Sequence, residues 1–240
     1  DTIDFLAAVA LQSKNSKLTE VFLSKNGGHF GSEYHTIAVD SNGVSRAYDV
    51  DPSDKTSPIL SLLAYRDYFL YFPSNHSYQF SVQRIGAQSA AQPIFRSPHS
   101  IRSSKGVHKH HYCNFNRNVQ LEGDNLYFID TNCHVVQYDL KQLLSLDEKS
   151  RPNYQPIVHN GKFEDFCVSG AKLTQITLNG LVTNNQNTQQ TQLDTAKLST
   201  VFTAIETLGG YFVVASYDAT ANTRILSVHS ANFDYITHVT

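Results

Sequence analysis

The feature that most restricts the fold is a recurring unit: an apolar strand, a small polar turn, then a second strand. Phe5 to Leu23 reads FLAAVALQ-SKNSK-LTEVFL, and His35 to Val50 reads HTIAV-DSNG-VSRAYDV. Tyr68 to Ile85 reads YFLYF-PSNHS-YQFSVQRI, and Asn125 to Leu140 reads NLYFI-DTNC-HVVQYDL. Asp165 to Leu178 and Gly210 to Ser230 repeat the pattern. Each unit sets β-branched and aromatic residues around an Asn, Gly, Ser or Asp turn, which is hairpin chemistry. A lone hairpin cannot bury its apolar face, so units of this kind must stack. The turns recur every ~40 residues, a blade-sized period. The expected fold is all-β, a β-propeller-like array of antiparallel hairpins. A β-sandwich is the rival architecture, because hairpin spacing does not separate the two.

Two units agree most closely. Asp40 lies eight residues before Tyr48-Asp49, and Asp130 lies eight residues before Tyr138-Asp139. Ser74-Asn75 of the third hairpin repeats Ser41-Asn42. On these residues the chain resembles the WD40-type β-propeller, whose third blade strand ends on an aromatic-Asp pair. The resemblance implies a scaffold whose rim and faces bind other proteins.

Composition supports the strand reading and narrows the function. The 240 residues are 40% hydrophobic and only 17% charged, with 13 Tyr and 14 Phe. That is aromatic-rich and charge-poor, as strands around one core require and as a disordered chain is not. A single domain spanning 1–240, or part of a larger propeller, fits this length. The formal net charge of −2 excludes global attraction to nucleic acid or anionic lipid, so such affinity would need a local patch. No apolar run is long enough to span a membrane. The chain opens at Asp1 and contains no Met, the pattern of a processed chain or an excerpt of a larger protein. Three cysteines, Cys113, Cys133 and Cys167, are too few and odd for a disulfide framework and point to a reducing, cytoplasmic setting.

Three segments break the rhythm. Residues 86–118 read as an inserted loop, and residues 182–192, with the run VTNNQNTQQTQ, read as a polar low-complexity loop. Between them, LKQLLSLDEK has the pattern of a short helix. The inserted segment carries the most conspicuous side chains. His108, His110, His111 and Cys113 lie in VHKHHYC, and imidazole with thiolate suits zinc or copper. Zinc is the cofactor such a cluster would hold, although no second ligand doublet accompanies it. The alternative is a solvated polar loop. Arg96, Arg102, Lys105, Lys109 and Arg117 flank the histidines, with Tyr112 and Phe115 interleaved. Guanidinium groups among aromatics can hold phosphates and stack bases, so this segment is the candidate surface for a protein, an acidic peptide or RNA. The bland alternative is a loop whose charges offset acidic surface elsewhere.

Catalytic constellations are weak. Asp49 with Asp51, Asp130 with Asp139, and Glu164 with Asp165 are the carboxylate pairs a glycoside hydrolase would need, but they sit at turns and strand ends, where Asp serves local hydrogen bonds. No Gly-x-Ser-x-Gly elbow occurs. Cys167 lies in an apolar strand and reads as core. Cys133 beside His134 is more accessible, but adjacency in sequence is not a dyad. The resulting expectation is a non-catalytic protein-interaction module or scaffold subunit. Carbohydrate binding or glycoside hydrolysis on a propeller, and RNA or anion binding through residues 96–117, are the alternatives.

Overall fold

The structure is a computed structural model. It describes residues 59–73, 79–84, 94–100, 119–170, 172–184, 187–193, 200–218 and 220–240, and as backbone also 5–12, 19–25, 33–39 and 45–49. The chain divides into two compact units, Asp1–Asn116 with Leu143–Tyr154, and Arg117–Gln142 with Gln155–Thr240.

The first unit holds two four-stranded antiparallel sheets. One is β1 (Phe5–Gln12), β2 (Thr19–Lys25), β3 (Glu33–Val39) and β4 (Ser45–Asp49), in that order. The first two sequence hairpins therefore belong to one sheet, because β2 pairs with β3 as fully as with β1. The other is β5 (Ile59–Tyr65), β6 (Tyr68–Pro73), β7 (Gln79–Arg84) and β8 (Phe95–Ser100). Here the third sequence hairpin forms the middle pair. The fourth strand comes from the segment read as an insertion, where Phe95 pairs with Val82 and packs on Phe80 at 5.6 Å between ring centroids. Leu70, Phe80 and Val82 are fully buried.

The second unit holds three such sheets. The third sheet is β9 (Val119–Glu122), β10 (Asn125–Ile129), β11 (Val135–Asp139) and β12 (Ile157–His159). The fourth is β13 (Phe163–Ser169), β14 (Lys172–Thr177), β15 (Leu181–Asn184) and β16 (Asn187–Gln192). The fifth is β17 (Thr200–Leu208), β18 (Tyr211–Asp218), β19 (Thr223–His229) and β20 (Tyr235–Val239). The polar run at 182–192 thus forms strands β15 and β16. Edge strands face water with polar side chains, so a run of Thr, Asn and Gln suffices to complete a sheet. The short helix α1 (Leu140–Ser145) follows β11, and Asp139 Oδ1 accepts the Gln142 N–H at 2.8 Å across its first turn.

The sheets of the second unit are joined through side chains of alternating direction. Phe166 and Leu173 of the fourth sheet cluster with Tyr127, Ile129 and Val135 of the third. Cys167, Ile176 and Val182, on the opposite face, cluster with Phe202, Ile205 and Val214 of the fifth. First strands of successive sheets lie against each other: β9 on β13, and β13 on β17. Polar side chains tie these strands together. Gln120 of β9 accepts the Val168 N–H at 2.8 Å and donates to the Phe166 carbonyl at 3.3 Å. Asp165 of β13 accepts the Ile205 N–H through Oδ2 at 3.0 Å. Such bonds satisfy backbone groups that first strands would otherwise bury without partners. In the first unit, β1 and β5 are likewise adjacent.

The aromatic-Asp pairs fall at different places in their sheets. Tyr138-Asp139 closes the third strand, β11, whereas Tyr48-Asp49 closes the fourth, β4. The two best-matched sequence units are therefore not equivalent in the fold.

Candidate functional site

Odd-numbered strands of the fourth and fifth sheets run in one direction. Their first-to-second and third-to-fourth turns consequently meet at one end of the pair. Between them lies a cleft of about 240 Å³ lined by Lys172, Asn184, Thr207, Gly210, Phe212 and Phe233, among others. Phe212 and Phe233 stack at 4.6 Å with rings 25° apart and pack against the cluster joining the two sheets. Lys172 is exposed and is the only charged side chain in the lining among the described residues.

The sequence builds this end from two kinds of turn. Gly209 and Gly210 both have positive φ, 58° and 86°, as a two-residue hairpin turn between paired Leu208 and Tyr211 requires. The second turn is Ser230–Asp234. Ser230 Oγ accepts the N–H groups of Asn232 and Asp234 at 3.2 and 3.1 Å, and the Phe233 N–H bonds the Ser230 carbonyl at 2.9 Å. This leaves Phe233 at φ 68°, a left-handed conformation costly for a bulky residue. The buried ring of His229 lies beside the turn. Its Nε2 is 2.9 Å from Ser227 Oγ and its Nδ1 is 3.4 Å from the Phe233 carbonyl oxygen. Strain at Phe233 is thus held by the turn and the imidazole, which fixes its ring over the cleft.

The turn Asp130–His134 is built in the same way. Asp130 Oδ1 accepts the N–H groups of Asn132 and His134 at 2.8 and 2.9 Å, and Cys133 takes φ 68°. Asp130 is therefore a turn residue, and Asp139 caps a helix. Asp165 bridges two sheets. Asp49 is described only as backbone, and Asp51 lies outside the described residues. Burial, then the charges of Glu206 and Asp165, push the Cys167 thiol far up, which leaves it protonated core.

Of the basic surface expected from the sequence, Arg96 is placed on β8 and is exposed. Arg102, Lys105, Lys109, Tyr112, Phe115 and Arg117 lie outside the described residues, as do His108, His110, His111 and Cys113. Among the described residues no group of three metal-binding side chains occurs. The cleft itself was missed by sequence reasoning. The one available signal was the likeness of SANFD to DTNCH, two turns with a short acceptor side chain first and Asn third.

Serial four-stranded antiparallel sheets with adjacent first strands define an all-β protein of the β-propeller type. One solved structure agrees at the level of fold. A chain in the S. cerevisiae structure of Dbp5 bound to Nup159 and Gle1 is similar with a TM-score of 0.51 and 8% identity, over 95% of this chain and 63% of that one. This chain therefore spans just under two thirds of that relative. YCF48 bound to D1 peptide gives 0.48 and 8% identity, covering 97% of this chain and 72% of that one. Kluyvelomyces marxianus Hsv2 gives 0.42 and 10%, covering 96% and 77%. No family model matches the chain. No curated protein matches it either. No helix among the described residues is long and apolar enough to cross a membrane.

Proposed function

We propose that this protein is a non-catalytic interaction module of the WD40-like class, and that it holds an extended peptide segment of a partner protein in the cleft between the fourth and fifth sheets. The observation that carries the reading is the Phe212–Phe233 stack in a cleft that the exposed Lys172 also lines. A rigid aromatic floor offers an anchor for an apolar side chain, and a lone cation at the rim favours a carboxylate beside it. Aromatic stacking of this kind adds ~1 kcal/mol beyond area burial. Tyr138-Asp139 at the end of a third strand supports the WD40-like assignment. The similar S. cerevisiae chain was solved within an assembly of several proteins, in keeping with an interaction role.

Fluorescence anisotropy against a panel of labelled extended peptides, with and without acidic residues beside an apolar one, tests this. Saturable binding of the acidic set is expected, weakened about tenfold in Lys172→Glu, as loss of a charged contact predicts. Phe233→Ala should abolish it. Binding to no peptide, or binding that neither variant alters, would overturn the reading. Glycan-array binding that Phe233→Ala abolishes would replace the peptide by a sugar.

A further inference from the structure

The second unit contains two Asn-Gly pairs, Asn160-Gly161 and Asn179-Gly180, and the fold treats them oppositely. Asn26-Gly27 and Asn42-Gly43 lie outside the described residues. Such a pair is chemically distinctive. The asparagine side-chain carbonyl carbon and the next backbone nitrogen are tethered within reach of each other, and glycine puts no Cβ in the way.

The turn between β14 and β15 holds its pair shut. The Gly180 N–H bonds the Thr177 carbonyl at 2.9 Å, and the Leu181 N–H donates to Thr177 Oγ1 at 3.0 Å. The Gly180 carbonyl accepts the Leu193 N–H at 3.0 Å, and the Asn179 carbonyl accepts from Gln192 Nε2 at 2.8 Å. Gly180 is also buried. The connection from β12 to β13 is different. Asn160 is exposed and Gly161 half-buried, and neither makes a hydrogen bond among the described residues. Their flanks are tied, since His159 pairs with Val135 and the Phe163 N–H bonds the Cys133 carbonyl at 3.0 Å. A Cβ at Gly161 would fall on the Phe163 ring, so packing itself keeps a glycine after Asn160.

We propose that Asn160 is a site of spontaneous covalent modification, converting to aspartyl and isoaspartyl forms in the folded chain while Asn179 is protected. The Gly161 nitrogen attacks Asn160 Cγ and gives its proton to hydroxide. The bond from Cγ to the side-chain nitrogen breaks, and that nitrogen takes a proton and leaves as ammonia. Water then opens the cyclic imide at either carbonyl, breaking one C–N bond and forming a carboxylate. Nothing is oxidised or reduced. Either product places a new negative charge close to Lys162 in the sequence. Opening at the Asn160 backbone carbonyl also routes the main chain through the former side chain, which adds a methylene between the third and fourth sheets.

Peptide mass spectrometry of the full chain, aged for days in warm, mildly alkaline buffer, tests this. The peptide holding Asn160 should gain the mass of an amide turned acid and split into two chromatographic species. Its conversion should outpace that of Asn179 by about tenfold or more, because the Asn179 turn must first open its bonds to Thr177. In chain unfolded by guanidinium the two rates should converge. Asn160→Gln, whose longer side chain closes the ring poorly, should silence the first site. Thr177→Val, which strips the Leu181 N–H of its acceptor, should speed the second. Equal rates in the folded chain, faster conversion at Asn179, or an Asn160 that converts only after unfolding would overturn the proposal.

Discussion

The fourth and fifth sheets have the same strand order and the same four-strand plan, yet they stand in opposite relations to water. Phe166 and Leu173 on one face of the fourth sheet, and Cys167 and Ile176 on the other, are all buried. In the fifth sheet Phe202, Ile205, Val214 and Ile225 are buried on one face while Leu226 and Val239 stand exposed on the other. The difference teaches that strand pattern reports the number of covered faces. LTQI in β14 is buried without a break, whereas β19 alternates. Period two marks a half-covered sheet, and a continuous run marks one enclosed on both sides.

The comparison breaks most visibly under truncation. Phe166→Ala should cost about 3–5 kcal/mol, because a large buried ring leaves a cavity. Leu226→Ala should stay within about 0.5 kcal/mol, as changes at exposed positions do. Urea denaturation of both variants reads the contrast, and similar losses would mean that the fifth sheet is covered on both faces.

Glycines sharpen the same contrast at the junction of the two sheets. Gly180 has φ +77°, and a Cβ there would run into the Phe202 ring. Gly123 has φ +59° with open space around it. Gly180→Ala should therefore destabilise by about 2–3 kcal/mol, combining strain with overpacking, and Gly123→Ala by only about 1 kcal/mol from strain. Thermal melts of the pair should rank in that order.

Loss of the inter-sheet amide comes next. Gln120→Ala should cost about 1–2 kcal/mol, since it strips the Val168 N–H and Phe166 carbonyl of β13 of a partner. Hydrogen exchange at the Val168 amide should accelerate more than at the amides of β19. Equal acceleration would argue against a local tie.

The smallest effects are in pH. The buried Cys167 thiol is pushed up, so the unfolded chain loses this proton first as pH rises. Its contribution is complete below pH about 8.5 and is lost as pH climbs beyond that. His159 is the reverse case. Burial lowers its pKa, while Nε2 lies 3.1 Å from Gln137 Oε1. The unfolded chain then takes up the proton more readily, so stability declines as pH falls below about 6.5. Denaturation midpoints across pH check both signs, with Cys167→Ala flattening the alkaline limb and His159→Gln the acidic one.

Much of the architecture was legible in the residues. Each hairpin around a Ser, Asn, Asp or Gly turn is present as paired strands, because turn chemistry and β-branched flanks are local. The assignment of hairpins to sheets was not legible. The first two sequence hairpins share a sheet, although the DTNCH likeness of Asp40 and Asp130 suggested equivalent units. β2 and β3 pair across residues 26–32, a connection longer than the tight turns that mark a hairpin in sequence. Strands β8 and β16, each at the edge of its sheet, were hidden for another reason. Edge strands carry polar residues, and FRSPHS or NTQQTQ look like loops until a neighbour offers hydrogen bonds.

The sequence by itself determined an all-β chain of hairpins, the place of the turns, the helix after Asp139 and the burial of Cys167. These rest on periodicity and on backbone preferences within a few residues. Only the tertiary structure decided which strands share a sheet and that Phe212 meets Phe233 in a cleft that Lys172 also lines. It also decided that Leu226 and Val239 lie on the face of the fifth sheet away from the fourth. Each of those facts depends on side chains from separate strands arriving at one point, and that is set by sheet stacking rather than by any local run of residues.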